Sequence, residues 1–204
     1  MDKFKNKYRI PSARAAWWDY SNSGRYFITI CTAGREHYFG EIINGEMMLS
    51  KIGEFASSCW LDIPNHFSFV KLGESVIMPN HVHGIVIIDN NFPDAVVVET
   101  LHATSLPPPP QPSPPPPPSP PPPPPPPKNE KMMSISPKRG SLGSVIRSYK
   151  TAVTTNAHLI HYGFGWQSRF HDHIIRDDDE YKRISNYIAN NPDKWNEDKF
   201  FTNE

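Results

Sequence analysis

Apolar and polar positions divide the chain into short runs of two different periods. Residues 26–32 (YFITICT) are β-branched and aromatic, and 38–43 (YFGEII) lead through Asn44-Gly45 into EMMLS. Asn-Gly tolerates the positive φ of a tight two-residue turn, so a β-hairpin is predicted there. Between 51 and 67 the period lengthens. Ile52, Phe55, Ala56, Cys59 and Trp60 fall at i, i+3, i+4, i+7 and i+8, which predicts an amphipathic helix ending near Pro64. FVKLGESVIM (69–78) and HVHGIVII (81–88) predict two more strands. A helix starting near Ser141 or Ser144 is expected over 141–160, and a last one over 177–191, where Asp177 and Glu180 have capping-box spacing and Pro192 forces a stop. Strands punctuated by helices predict an α/β sandwich, with helices packed on a mostly antiparallel sheet.

Composition alters this picture in one place. Of 24 prolines in 204 residues, eighteen fall between 107 and 127. Proline has a fixed φ and no amide hydrogen, so this tract belongs to neither helix nor sheet and is expected to form a polyproline II rod of ~65 Å, at roughly 3.1 Å per residue. It reads as a spacer inserted in a connecting loop, with a ligand for a proline-recognition module as the sharper alternative. The expected organisation is a basic N-terminal arm (1–23) and a single domain (24–204), interrupted by a disordered or polyproline II insertion at about 103–135. Two cysteines, Cys31 and Cys59, make neither a disulfide framework nor a zinc site, which favours a reducing compartment. No apolar run approaches membrane-spanning length and the N-terminus lacks the apolar middle of a signal peptide, so a cytoplasmic protein with no membrane partner is expected.

The formal net charge is zero, which at first argues against nucleic acid as a partner. The signs are segregated, however. Residues 1–16 carry +4, including Arg14, and residues 128–150 carry +5, including Lys138, Arg139, Arg147 and Lys150, while the rest of the chain is acidic. Two short basic segments are therefore available to one face, with Trp17 and Trp18 beside the first as candidates to stack on unpaired bases or to pack the arm onto the body.

The strongest chemical signal is Met78-Pro79-Asn80-His81-Val82-His83. On a strand, i and i+2 share a face, so His81 and His83 can reach one divalent cation; a hydrogen-bonded pair at a strand start is the plainer alternative. His171 and His173 form a second such pair beside the acidic start of the last helix, where a structural role is expected. In that helix Tyr187 and Asn191 sit one turn apart, flanking the core stripe of Ile184 and Ile188. Tyr149, in RSYK, is the rival tyrosine, and core packing is expected for it. Ser141 and Ser144 are read as helix caps, with phosphate binding by the helix N-terminus as the alternative.

Taken in order, MPNHVHGIVII, a basic helix, WQSRFHDHIIR and YIANNP resemble the REP-associated tyrosine transposases, a branch of the single-tyrosine HUH nucleases that includes insertion-sequence transposases. The resemblance runs from about residue 24 to 196, excluding the proline tract. It implies a ferredoxin-like α/β sandwich with a C-terminal tyrosine-bearing helix, and a transposase or single-strand endonuclease acting on hairpin or single-stranded DNA. It further implies Mg²⁺ or Mn²⁺ held by His81 and His83, and Tyr187 as the nucleophile that forms a 5′-phosphotyrosine intermediate. Many insertion-sequence relatives carry glutamine four residues after the tyrosine as a third metal ligand. Asn191 stands at that spacing with a shorter side chain. Lys138, Arg139, Arg147, Lys150, Arg14 and Trp17 become the candidate DNA contacts. Two questions stay open at this level. Tyr187 serves either its own site or that of a partner in a homodimer, and a catalytically silent hairpin-binding protein derived from a transposase is the alternative function.

Overall fold

β3 (Gly24–Cys31) forms where YFITIC alternates large side chains, and strands pair with both of its edges. β7 (His81–Ile88) runs antiparallel on one side, placing Thr29 opposite His83 and Cys31 opposite His81. β8 (His171–Ile175) runs antiparallel on the other, and β6 (Val70–Met78) pairs with the outer edge of β7, so the sheet order is β6-β7-β3-β8. The computed structural model describes residues 18–90 and 137–201, together with the two-residue strands β1 (Lys3–Phe4) and β2 (Lys7–Tyr8), which pair with each other. Arg14, Trp17 and the proline tract lie outside the described residues.

The connections explain this order. α1 (Lys51–Leu61) carries the chain from β3 to β6, leaving a gap that β7 fills. α3 (Leu142–Ala157) stands between β7 and β8, with β3 lying between those two strands. Two interlocked split βαβ units are the ferredoxin-like arrangement, as expected from the resemblance. The sequence pattern did not predict β8. With His171, Asp172 and His173 in five residues it has little strand character of its own, and pairing with β3 makes it a strand.

Local signals place the other elements. Asn44 and Gly45, at φ 53° and 81°, turn β4 (Gly40–Ile43) into β5 (Glu46–Leu49). The Ser50 side chain caps α1 by accepting from the Gly53 amide. The helix expected to end near Pro64 breaks at Asp62, and Pro64 lies in the first turn of a short α2 (Ile63–His66), where its missing N–H costs nothing. α4 (Asp178–Ala189) is capped by Asp177, whose carboxylate accepts from the Glu180 amide at 2.7 Å. Among the described residues no helix is long and apolar enough to cross a membrane.

Strand alternation sends the two sheet faces to different partners. Tyr26, Ile28, Ile30, Val82 and Val86 pack against Ile52, Ala56 and Trp60 of α1 and against Val145, Ile146, Tyr149 and Val153 of α3. The opposite face bears Phe27, Ile85 and the two histidines of β7, and α4 lies across it with Ile184 and Ile188 against Ile85 and Ile175. Each fully buried isoleucine stabilises this contact by about 2 kcal/mol. β6 departs from regular register between Leu72 and Ser75, and a Cβ on Gly73 would come within 2.6 Å of the Tyr181 hydroxyl, so a larger residue there would displace the Tyr181 side chain of α4.

Candidate active site

The Pro79-Asn80 turn joins β6 to β7 and fixes where His81 begins. Thr32 holds this turn by donating its amide and hydroxyl to the Asn80 carbonyl, at 2.9 and 3.0 Å. The Asn80 amide nitrogen donates to the Phe200 carbonyl at 2.9 Å, so its Oδ1 faces His81 Nδ1, also at 2.9 Å. A carbonyl oxygen only accepts, so His81 carries its proton on Nδ1 and leaves the Nε2 lone pair free. That Nε2 is buried without a hydrogen-bond partner. His83 is oriented from the neighbouring strand, with Nδ1 at 2.9 Å from Thr29 Oγ1.

Tyr187 approaches from α4. Its hydroxyl lies 3.3 Å from His83 Nε2 and 3.4 Å from Asp198 Oδ2, and its ring stands edge-on to Phe27. Asp198 arrives on the segment that follows α4. Pro192 ends the helical region, a 3-10 turn (Trp195–Glu197) reverses the chain, and Trp195 and Phe200 bury themselves against Cys31, Met78 and Ile42. Phe200 lays its ring 4.7 Å from that of His81. The Asp198 carboxylate is then held by the Phe200 amide at 2.6 Å and the Asn191 amide nitrogen at 3.1 Å.

One ligand atom each from His81, His83 and Asp198 lies within 4.8 Å of the others, and Asn191 adds a buried Oδ1 without a hydrogen-bond partner. Two imidazole nitrogens and a carboxylate are a donor set suited to a divalent cation. The unsatisfied, fully buried His81 Nε2 is hard to account for in a purely structural role, since a buried polar atom without a partner costs about 1–3 kcal/mol. The residues present therefore fit a metal ion.

Electrostatics agree. Burial, reinforced by His83, pulls His81 well below its ordinary value, and burial pulls His83 down to about 4 although Asp198 opposes the shift. Both rings are neutral at pH 7, the form that binds a cation. Burial and then Asp198 raise the Tyr187 hydroxyl above its ordinary value. A pH dependence of stability follows for the metal-free protein. The unfolded chain protonates His83 near 6.5 and the folded one near 4, so the stabilisation is complete above pH 6.5 and lost as pH falls towards 4. The loss is ~3 kcal/mol for this residue at roughly 1.4 kcal/mol per unit. Urea unfolding of wild type and His83→Gln across this window measures it, and parallel pH profiles would contradict it.

The other candidate residues are placed as follows. His173 Nε2 meets Glu180 at 2.9 Å and braces the start of α4, while His171 is exposed on β8. Tyr149 is buried and donates to the Ala56 carbonyl on the far side of the sheet. Ser141 caps α3, accepting from the Ser144 amide. Lys138 is exposed and paired with Asp19 at 2.9 Å, and Arg139 and Arg147 are exposed. Lys150, expected to face DNA, donates instead to the Gln167 and Arg169 carbonyls at 2.6 and 3.3 Å, and burial pulls it down to about 8. Asp198 had no sequence signal. It stands in NEDKF, an ordinary exposed-looking run, 115 residues beyond His83.

No protein-family profile matches the sequence. An uncharacterized protein of Haemophilus influenzae is 35% identical over 192 residues, covering 93% of this chain and 92% of that protein. Among solved structures, a REP-associated tyrosine transposase bound to a REP hairpin superposes with a TM-score of 0.51 at 16% identity, over 89% of this chain and 74% of the other.

Proposed function

The chain belongs to the family of the uncharacterized Haemophilus influenzae protein and has a transposase-like fold, and from this premise we propose that it is a metal-dependent single-tyrosine transposase that binds hairpin DNA and cleaves and rejoins single strands. The observation that carries this reading is the convergence, within one chain, of the Tyr187 hydroxyl, the two β7 histidines and Asp198. Hairpin DNA as the ligand is an analogy from the structural neighbour.

In this reading His81, His83 and Asp198 would hold Mg²⁺ or Mn²⁺, with Asn191 as a further candidate ligand, and the ion would supply charge neutralisation at the scissile phosphate. Tyr187 attacks phosphorus through its hydroxyl oxygen. The new O–P bond forms as the P–O3′ bond breaks, the 3′ oxygen leaves and takes a proton, and the 5′ phosphate stays on the tyrosine. Two atoms face the hydroxyl proton. His83 Nε2 has one lone pair and serves either a cation or Tyr187, so Asp198 Oδ2 is the acceptor that remains when His83 is a ligand. The covalent bond conserves the phosphodiester for rejoining. The Tyr187 hydroxyl meets His83 of its own chain, which supports a site completed in cis. The proline tract then interrupts one catalytic domain between β7 and α3.

The test is adduct formation. Protein, Mn²⁺ and a 3′-end-labelled hairpin with single-stranded flanks drawn from the surrounding genomic DNA are expected to give a labelled band that survives denaturation and, after nuclease digestion, a peptide spanning Tyr187 that carries the residual 5′-phosphoryl nucleotide. Tight hairpin binding with no adduct under Mg²⁺ or Mn²⁺ would leave the silent DNA-binding protein as the better description.

A further inference from the structure

The cleft beside Tyr187 has about 660 Å³ of free volume and contains side chains that the chemistry above does not use. The ring of Phe27 and the exposed flank of α4 both line it, and Arg183, Asn186 and Asn190 project on the same side of the helix as Tyr187. At 100° per residue these four positions lie within an arc of about 100°, while Ile184 and Ile188 turn towards the sheet. Lys194 adds an ammonium from the turn beyond the helix, and Glu197 is the one carboxylate in the lining besides Asp198.

The fold makes little use of these groups. Arg183 leans on Glu180 at 3.2 Å in an exposed pair of the kind worth well under about 1 kcal/mol. The Asn190 side chain donates to the Asn186 carbonyl, which leaves its own oxygen and the Asn186 amide facing solvent. A guanidinium, an ammonium, two amides and an aromatic ring are the set that reads a nucleotide: cations for phosphate, amides for a base edge, a ring for a base face. Among the described residues, Lys138, Arg139, Arg147 and Lys150 do not line this cleft. α3 packs on the opposite sheet face, and the Lys150 ammonium is engaged by two carbonyls.

We propose that this cleft seats the nucleotide adjoining the phosphate attacked by Tyr187, with its base on Phe27, its edge towards Asn186 and Asn190, and its phosphate towards Arg183 and Lys194. The inference rests on the functional reading above and adds a single-strand subsite to it.

Binding is measured by fluorescence anisotropy in a Tyr187→Phe background, so that no cleavage intervenes. The probe is a labelled, unstructured DNA of about a dozen nucleotides, within the usual site size for single strands. The double change Arg183→Ala with Lys194→Ala is expected to weaken binding at least tenfold and to reduce the slope of log K against log salt by about 0.7, the value for the one phosphate the two cations share. Asn186→Ala is expected to weaken binding several-fold with the slope unchanged. Lys182→Ala, which removes a cation paired with Asp179 and absent from the cleft, serves as the charge control. Losses in the double variant no larger than in Lys182→Ala overturn the subsite. A wild-type protein that forms no adduct, while the cleft variants show these losses, overturns the catalytic reading and leaves the subsite standing.

Discussion

Tyr187→Phe is expected to eliminate the covalent DNA adduct and to slow strand cleavage by at least ~10⁴-fold, the scale on which removal of a catalytic nucleophile acts. The change is chemically narrow. Phenylalanine keeps the ring edge-on to Phe27 and 5.4 Å from the His83 ring, and loses only a hydroxyl with two long hydrogen bonds on a residue that is 42% exposed. Stability should move by less than about 1 kcal/mol. The companion variant separates chemistry from folding. Tyr149→Phe removes a buried hydrogen bond to the Ala56 carbonyl, on the sheet face opposite the histidines, and is expected to lower stability by ~1–2 kcal/mol with cleavage retained. Because the 5′ phosphate stays on the protein, a 3′-end label follows the adduct on a denaturing gel. An undiminished adduct in Tyr187→Phe would sink the assignment of the nucleophile, and loss of the adduct in Tyr149→Phe at full folding would transfer it.

The second large effect concerns the metal. His81→Gln keeps roughly the volume of a fully buried side chain and removes the nitrogen whose lone pair has no partner in the fold. The Mn²⁺ concentration needed for half-maximal cleavage is expected to rise by more than ~100-fold, beyond the 10–100-fold that altering a group behind a ligand usually costs. Asp198→Asn provides the comparison. It preserves shape and one oxygen while removing the charge, and a rise of the same order as for His81→Gln marks Asp198 as a ligand. Asn191→Ala should cost less, because it removes a group that donates to the Asp198 carboxylate and leaves His81, His83 and Asp198 themselves in place. Titration calorimetry with Mn²⁺ alone reads the same order without any DNA. Unchanged Mn²⁺ binding in His81→Gln would remove the metal from the proposal.

Asp198 also shows why the site could be read only in part beforehand. A His-x-His pair is a local statement, because strand alternation puts i and i+2 on one face whatever surrounds them. Tyr187 and Asn191 are local in the same way, being one helical turn apart. A carboxylate reached through a proline stop, a 3-10 turn and the burial of Trp195 and Phe200 has no local spacing to give it away. The same applies to the expected DNA contacts. Charge segregation along the chain singled out Lys138, Arg139, Arg147 and Lys150 as candidate DNA contacts, the first three of which are exposed, yet it carried no information about which sheet face α3 would cover or that the Lys150 ammonium would meet two main-chain carbonyls. β8 and the break at Asp62 escaped for a related reason, since strand formation by HDHII depends on β3 as a partner and Pro64 can open a turn as readily as close one.

What the amino-acid order settled by itself was most of the elements and the faces within each: the Asn44-Gly45 hairpin, the caps at Ser141 and Asp177, the histidine pair on one side of β7, and the tyrosine flanking the core stripe of α4. Periodicity and capping act over a few residues, so they survive being read without a fold. The tertiary structure alone decided which faces meet. It laid α4 on the histidine side of the sheet, drew Asp198 to within 3.4 Å of the Tyr187 hydroxyl, and left a donor-lined cleft beside it. Such approaches depend on burying Ile184, Ile188, Trp195 and Phe200 against strands far away in the chain, an energy that no segment possesses until the sheet exists.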